Sequence, residues 1–447
     1  MKKTELTELV VRTAEKLGAT EAEAYVRKAR TMTLEGAEEI EYMKTVESAG
    51  LGLRVACGKR LSAYATSILT EKDALQAVEK ALRIAKASPE DPEWRHMNDR
   101  FGASLASQFF DKTMKDTPYE EIVKQVSQAT TTAKECDPRV RIGHTVVLTN
   151  IAETMVANSF GQSKTVEESH ALFSMRTKAV ELGYESSGSQ SDQSRFWKGL
   201  DIDSVATRSA SQAIRTLRAK PIESEKMPVV IRNQVFASML TIMLANAVNG
   251  ENVQRGRSPL ADRLGEQVAV EDFTLVDDGI MPGGLGTRSF DDEGCPTQRT
   301  PVIEKGVCKS FIYDSYTAHR DGRRSTGNGY RPSYAAPPRP GTNNFVLMPR
   351  TGSAETMIEE TSKGFYVEGT IGEQLSNPVS GNLNATVTHG YLIENGELTD
   401  PVKGIVISGN FYDVIREGIQ VIGKDLDSAG SSYSPTVKIG ELTIAGK

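Results

Sequence analysis

The chain has 447 residues, with 53 lysines and arginines against 59 aspartates and glutamates, and a formal net charge of −6. This length predicts two or three domains with substantial cores. Because the net charge is negative, the protein has no overall positive potential to attract phosphate backbones, which argues against nucleic acid as the main partner. No apolar run approaches the ~18 residues that a membrane span needs, which excludes a membrane-spanning helix.

The start of the chain and its cysteines bear on where the protein resides. Met1-Lys2-Lys3-Thr4-Glu5-Leu6 leads directly into an amphipathic pattern and lacks the apolar core and cleavage site of a secretory signal. We therefore expect a cytoplasmic protein. The four cysteines are too scattered for a disulfide framework, and we expect all of them to be reduced: Cys57, Cys136, Cys295 and Cys308.

In the first part of the chain, apolar periodicity predicts helices and alternation predicts strands. A helix is expected over residues 4–17, with Gly18 as its stop, and further helices from Thr70 to Ser88 and from Pro118 to about Lys134. Strands are expected at 21–26, 49–56 and 61–65, the last two joined as a hairpin by Gly58-Lys59. The pattern indicates a mixed helix and sheet unit.

Residues 141–156 and 172–175 are rich in β-branched and apolar side chains and predict an antiparallel meander. The polar, small residues 185–194 predict an exposed loop of modest order. Asp201 is expected to cap a helix that ends at Lys220-Pro221. We place the domain boundary there, giving domains 1–220 and 221–447.

The second half opens with a strand at 227–231 and a helix from Val235 to Val248 that is apolar on most of its circumference, as is typical of a buried central helix. Short glycine-punctuated strands follow, with a hairpin turn at 394–397. The sequence thus predicts an α+β fold with two domains. The N-terminal one mixes helices with an antiparallel sheet, and the C-terminal one is mainly β around a central buried helix.

The most concentrated motifs lie between Val276 and Gly329. They read Val276-Asp277-Asp278-Gly279, Met281-Pro282-Gly283-Gly284-Leu285-Gly286-Thr287, Phe290-Asp291-Asp292-Glu293-Gly294, Tyr313-Asp314-Ser315-Tyr316 and Ser325-Thr326-Gly327-Asn328-Gly329. With Gly50-Leu51-Gly52-Leu53-Arg54 and the tail Leu442-Thr443-Ile444-Ala445-Gly446, they resemble the TldD/PmbA family, also called modulators of DNA gyrase. The order of these motifs is specific, and the resemblance covers nearly the whole chain.

The resemblance implies a metallopeptidase made of two kinds of subunit, acting on unfolded or unstructured peptides. The TldD kind binds zinc through a His-Glu-x-x-x-His helix and a cysteine near the C-terminus, whereas the PmbA or TldE kind does not. Here the corresponding helix, 236–248, has no histidine or carboxylate, and Ser431-Ser432-Tyr433-Ser434-Pro435 stands in place of the cysteine segment. The chain resembles the PmbA/TldE kind, which implies no metal ligands and no catalytic residues of its own.

Several polar groups are candidates for a peptide channel or a subunit interface. Three consecutive carboxylates can attract cations, but a turn before Gly294 is the simpler interpretation of the acidic run. The basic group near residue 320 could bind a peptide carboxylate or form a solvated loop, and His389 is expected to be a packed strand histidine. The candidates are Asp291, Asp292, Glu293, His319, Arg323, Arg324 and His389.

The resulting hypothesis is a non-catalytic subunit of a cytoplasmic metallopeptidase. It expects no cofactor in this chain and zinc in a TldD-like partner, as a heterodimer or higher assembly, with unfolded peptide as substrate bound by strand addition. The alternative is a standalone homo-oligomer, such as a homodimer, that binds peptides or has a regulatory role without cleaving them.

Overall fold

The computed structural model describes residues 3–446. Its N-terminal half forms one six-stranded antiparallel sheet in the order β3-β2-β1-β4-β5-β6, which confirms the predicted hairpin and meander. The strands are β1 (Glu21–Gly36), β2 (Ile40–Cys57), β3 (Arg60–Thr66), β4 (Val140–Asn158), β5 (Gln162–Glu181) and β6 (Tyr184–Ser194). The helices of this half are α1 (Lys3–Lys16), α2 (Glu71–Ala87), α3 (Tyr119–Glu135) and α4 (Ile202–Arg215).

The two faces of this sheet have different roles because successive strand residues point to opposite sides. Val26, Leu53 and Phe173 belong to the cores that the sheet forms with the four helices, whose apolar stripes cover one face. The opposite face packs against the C-terminal half. Gly52 permits that approach, since a Cβ there would lie 1.8 Å from the carbonyl oxygen of Tyr334.

The prediction of a loop at 185–194 is wrong, since these residues form β6 and pair with β5 along their length. Ser186, Gly188 and Gln190 alternate with exposed neighbours and are buried. Gly188 packs so tightly against α4 that a Cβ would lie 2.0 Å from the carbonyl oxygen of Ser209. Small polar residues serve here as the contact surface of a helix, which composition alone does not distinguish from a loop.

The C-terminal half contains two larger sheets. One has the order β10-β9-β8-β13-β20-β19, and in the other the pairings of β14, β7, β21, β17 and β15 close into a ring, with β16 and β18 attached. The strands are β7 (Glu225–Ile231), β8 (Leu275–Asp278), β9 (Arg299–Glu304), β10 (Val307–Cys308), β11 (Gly329–Tyr330), β12 (Arg339–Pro340), β13 (Phe345–Leu347), β14 (Lys363–Ile371), β15 (Asn382–Glu394), β16 (Glu397–Val402), β17 (Ile405–Asn410), β18 (Ile419–Ile422), β19 (Asp427–Ala429), β20 (Ser432–Ser434) and β21 (Val437–Ala445).

The predicted central helix is present as α5 (Asn233–Met239), a π-helical segment (Leu240–Leu244) and α6 (Ala245–Ala247). Most of its side chains enter the large core of this half, with Phe236 against Phe411 at 6.0 Å between ring centroids. The remaining short helices are α7 (Gly250–Gln254), α8 (Ser315–Arg320), α9 (Ala354–Glu359) and α10 (Phe411–Asp413). The predicted α+β organisation with a mainly β C-terminal part is confirmed.

Other single expectations are also met. β15 and β16 form the hairpin predicted at 394–397. All four thiols are free. Within residues 3–446 no helix is long and apolar enough to cross a membrane. The division at residue 221, within the connection between α4 and β7, stays a prediction.

Candidate functional site

The second face of the N-terminal sheet carries charged and polar side chains toward the C-terminal half. Glu23, Tyr25 and Arg27 alternate along β1, Arg54 lies on β2 and Glu168 on β5. Each contacts a charged group of the sheet or of the other half. The junction between the halves is therefore polar, unlike the helix-covered face.

Glu23 is the most buried of these groups, with no exposed surface. Arg54 donates to both of its carboxylate oxygens, over 2.9 and 2.8 Å, and Arg331 donates to Oε1 as well. Burial by itself raises the pKa of Glu23, but the two guanidinium groups outweigh it and the pKa is lowered. Arg54 also donates to Glu293 Oε1 over 2.9 Å, so one guanidinium joins the two halves.

The acidic run forms the turn predicted before Gly294, which has φ +79°. Asp291 accepts from the backbone N–H groups of Glu293, Cys295 and Gly329 over 2.7 to 3.0 Å. Burial, and then the charge of Glu293, raise the pKa of Asp291 to about 8. Its carboxyl group thus organises the turn.

Asp292 and Glu293 point into the junction. Asp292 accepts from Tyr25 Oη over 3.1 Å, from Arg288 Nη1 over 2.9 Å and from the backbone N–H of Arg331 over 2.7 Å. Glu293 accepts from Arg54 and from the Ser315 backbone N–H over 2.8 Å. These carboxylates bind groups from both halves, so they hold the halves together.

Beside this network lies a cavity of about 400 Å³, here called the arginine cavity. Its charged and polar lining includes Arg27, Arg195, Arg288, Arg331, Glu168, Asp292, His170 and Ser431. All four arginines form hydrogen bonds to carboxylates or backbone carbonyls, so they line the wall as fixed positive charge. Sequence reasoning singled out only Asp292 among them. Glu168 had no local signal, because it lies between Glu167 and Ser169 in a polar stretch.

A second cavity of about 450 Å³, here called the histidine cavity, contains His389. His389 Nε2 donates to the Ser187 carbonyl oxygen over 2.5 Å, and Thr388 Oγ1 lies 2.9 Å from Nδ1. Burial lowers the pKa of His389. The prediction of a packed strand histidine is confirmed, and its contact with β6 links the two halves.

The basic group near residue 320 lies elsewhere. His319, near the end of α8, is 4.2 Å from His96 between ring centroids, and burial, then His96, lower its pKa. Arg323 and Arg324 follow α8 in an exposed segment. None of these three residues lines the histidine cavity, so the structure does not bring them together with His389.

The central helix borders the histidine cavity. Its less buried side carries Gln234, Ser238 and Thr241, and the first two line the histidine cavity. Thr241 Oγ1 donates to Ser432 Oγ over 2.7 Å, and the neighbouring Ser431 lines the arginine cavity. Helix and tail thus meet through two neutral hydroxyl groups.

Family models match two parts of this chain, one described as the PmbA/TldA metallopeptidase central domain over residues 112–217 and one as its C-terminal domain over 224–446. The chain belongs to the PmbA/TldD family. A PmbA metalloprotease homologue of Haemophilus influenzae is 26% identical over 98% of this chain and 94% of its own length. A TldD metalloprotease homologue of Buchnera aphidicola is 28% identical over 60% of this chain and 59% of its own length.

Among solved structures, TldE from Thermococcus kodakarensis has a TM-score of 0.91 with 25% identity, covering 99% of this chain and 100% of that one. Several curated relatives align over only about 60% of their own length. Over most of both chains the likeness extends to the PmbA homologue, to TldE and to a second TldD homologue of Buchnera aphidicola, which is 25% identical over 89% of this chain and 86% of its own length.

Metallopeptidase relatives raise the question of whether this chain can bind the zinc that the family resemblance implies. Zinc in proteins is held by thiolate, imidazole or carboxylate ligands. Where the central helix meets the tail, this chain presents the hydroxyls of Thr241 and Ser432. Within residues 3–446, no three His, Cys, Asp or Glu side chains are grouped as a metal site. The donor set does not fit zinc.

Proposed function

We propose that this chain is a non-catalytic, PmbA/TldE-type subunit of a metallopeptidase complex that degrades unfolded peptides, with zinc and the general base in a TldD-like partner. The observation that carries the proposal is the hydrogen bond between Thr241 and Ser432, at the meeting of the helix and tail that provide zinc ligands in TldD-type chains. The alignment with the PmbA homologue and the likeness to TldE support the choice of subunit kind. The proposed compartment is the cytoplasm.

Within such a complex this chain would wall the space that holds the peptide. Strand β3 pairs with β2 only over Leu51–Cys57, and no described strand pairs with the outer edge of β2 over residues 40–50. Unpaired backbone groups of an edge strand can accept an extended peptide as an added strand. This supports strand addition as the mode of peptide binding.

The test compares the purified chain, a TldD-like partner, and their mixture. Metal analysis should find no stoichiometric zinc in this chain, and an unstructured peptide should be cleaved by the mixture. Replacing the glutamate of the partner's His-Glu-x-x-x-His motif should abolish cleavage without preventing assembly. Stoichiometric zinc with peptidase activity in the isolated chain would refute the proposal, whereas peptide binding by a homo-oligomer without association to the partner would favour the alternative.

A further inference from the structure

A third cavity, of about 600 Å³, lies between the edge strand β3 and the C-terminal half. We call it the proline-walled cavity, since Pro332, Pro337, Pro338 and Pro340 line it. Trp94 and Tyr316 also line it, and their rings stack with centroids 6.4 Å apart and planes at 24°. Its size and its largely apolar wall are typical of sites for small organic groups.

Asp314 is one of the residues that line this cavity. The residue is only 2% exposed. Its Oδ1 caps α8, accepting from the backbone N–H and the hydroxyl of Thr317 over 2.9 and 2.6 Å. Its Oδ2 accepts no hydrogen bond from any residue that the structure describes. Half of a buried carboxylate is therefore left for a donor that enters the cavity.

The other charged groups of the cavity are already engaged or exposed. Asp91 accepts from Tyr316 Oη over 2.8 Å, and Glu251 is paired with Arg255 at 2.6 Å. Arg54 is committed to Glu23 and Glu293, and Arg339 is exposed.

No cation forms a hydrogen bond to Asp314 within the described residues, although the charge of nearby Arg54 lowers its pKa in part. Burial, and then the charge of Glu293, raise the pKa of Asp314 to about 7. A cation entering the cavity would attract this carboxylate and favour its ionised form.

We propose that the proline-walled cavity binds an organic cation with an apolar stem, the guanidinium or ammonium group of a peptide, against Asp314 Oδ2. The stem packs between the prolines and the stacked rings of Trp94 and Tyr316, where an aromatic face also attracts a cation. A lysine or arginine side chain and a free peptide amino terminus share this chemistry. The inference concerns the isolated chain and does not depend on a zinc-bearing partner.

Calorimetric titration of the full chain tests this with four probes. Nα-acetyl-arginine amide and Nα-acetyl-lysine amide carry the cation on the side chain, leucinamide carries it on the amino terminus, and Nα-acetyl-norleucine amide has a similar stem without charge. At least one cationic probe should bind at least about tenfold more tightly than the norleucine compound. Binding by leucinamide alone would identify the amino terminus as the source of the cation.

Asp314→Asn keeps the helix cap and removes the charge, so it should weaken cation binding about tenfold or more. Asp201→Asn is the matched control, since Asp201 caps α4 in the same way and is exposed. Ala63→Phe, in β3, fills the cavity from another side and should also abolish binding. Equal binding of the norleucine compound, no saturable binding of any cation, or unchanged affinity in both cavity variants would overturn the proposal.

Discussion

Arg54 and Glu293 are 239 positions apart in sequence and are joined by a 2.9 Å ion pair across the junction of the two halves. Because Arg54 also binds Glu23 bidentately, the pair extends into the sheet. Such a network fixes how the two halves are oriented, but burying its charges removes them from water at a cost in free energy. Removing one member therefore measures how much the network contributes to stability.

We expect Glu23→Gln to destabilise the protein by about 3 to 5 kcal/mol, because it leaves the guanidinium groups of Arg54 and Arg331 buried without their carboxylate. Urea denaturation measures the free energy of unfolding. Glu47→Gln, an exposed position on the same sheet, is the control and should change little. A loss as small as that of the control would show that the network is not energetically coupled to folding.

Asp314→Asn should make stability less dependent on pH. The folded-state pKa of Asp314 is raised from 3.8 to about 7, so its contribution to stability is fully present below about pH 4 and is lost as pH rises to about 7. Asparagine stays neutral and avoids this loss. The variant should be more stable than the native chain at pH 8, and the gain should be smaller at pH 5. Thermal melting at the two pH values measures the difference, and a gain that is equal at both contradicts the assignment.

Gly188→Ala tests the contact between β6 and α4. The added methyl group meets the Ser209 carbonyl oxygen, so we expect a loss of about 1 to 3 kcal/mol in the free energy of unfolding. The neighbouring Ser187→Ala, on the exposed face of the strand, should be nearly neutral. Chemical denaturation of both variants provides the comparison, and similar values would mean that the helix can shift away without penalty.

Ser432→Ala removes the acceptor of the Thr241 hydroxyl and should cost about 1 kcal/mol of stability. If this hydroxyl pair has no role in metal binding, the zinc content of an assembled complex should not change. Metal analysis of the complex with and without the substitution decides this. Loss of zinc would place these hydroxyls close to the metal and count against the proposed division of labour.

Limited proteolysis should cut first in the irregular segment before α3. Leu105 lies there with 94% of its surface exposed, in a stretch of bends and unassigned backbone. Thermolysin followed by mass spectrometry should identify this site, and Leu105→Gln should slow the first cut. First cleavage within 184–194 would instead show that β6 opens easily.

Local sequence patterns were sufficient for elements that bury an apolar stripe or that begin at a clear cap. The central helix, the cap at Asp201 and the turn at Asp291–Gly294 all follow from neighbouring residues. Strand β6 does not, because serine and glycine are common both in loops and under a tightly packed helix. Its burial is decided by α4, which comes later in the chain.

The candidate site was predicted only in part for a related reason. Asp291, Asp292 and Glu293 stood out as a run, but their partners Tyr25, Arg54 and Arg331 did not. A lone charged residue in a strand carries no sign of a partner that is far away in sequence. Only the three-dimensional fold shows that these groups meet.

The separation of these partners also sets an order of events during biosynthesis. Tyr25 cannot bind Asp292 until 267 further residues have been synthesised, and Glu23 cannot bind Arg331 until 308 further residues have been synthesised. At about 5 to 20 residues per second, the ribosome needs roughly 15 to 60 s to supply them. Once β6 has been synthesised, the nascent sheet exposes its charged face to water until the second half emerges to cover it. A hydrated charged face discourages premature association with other chains.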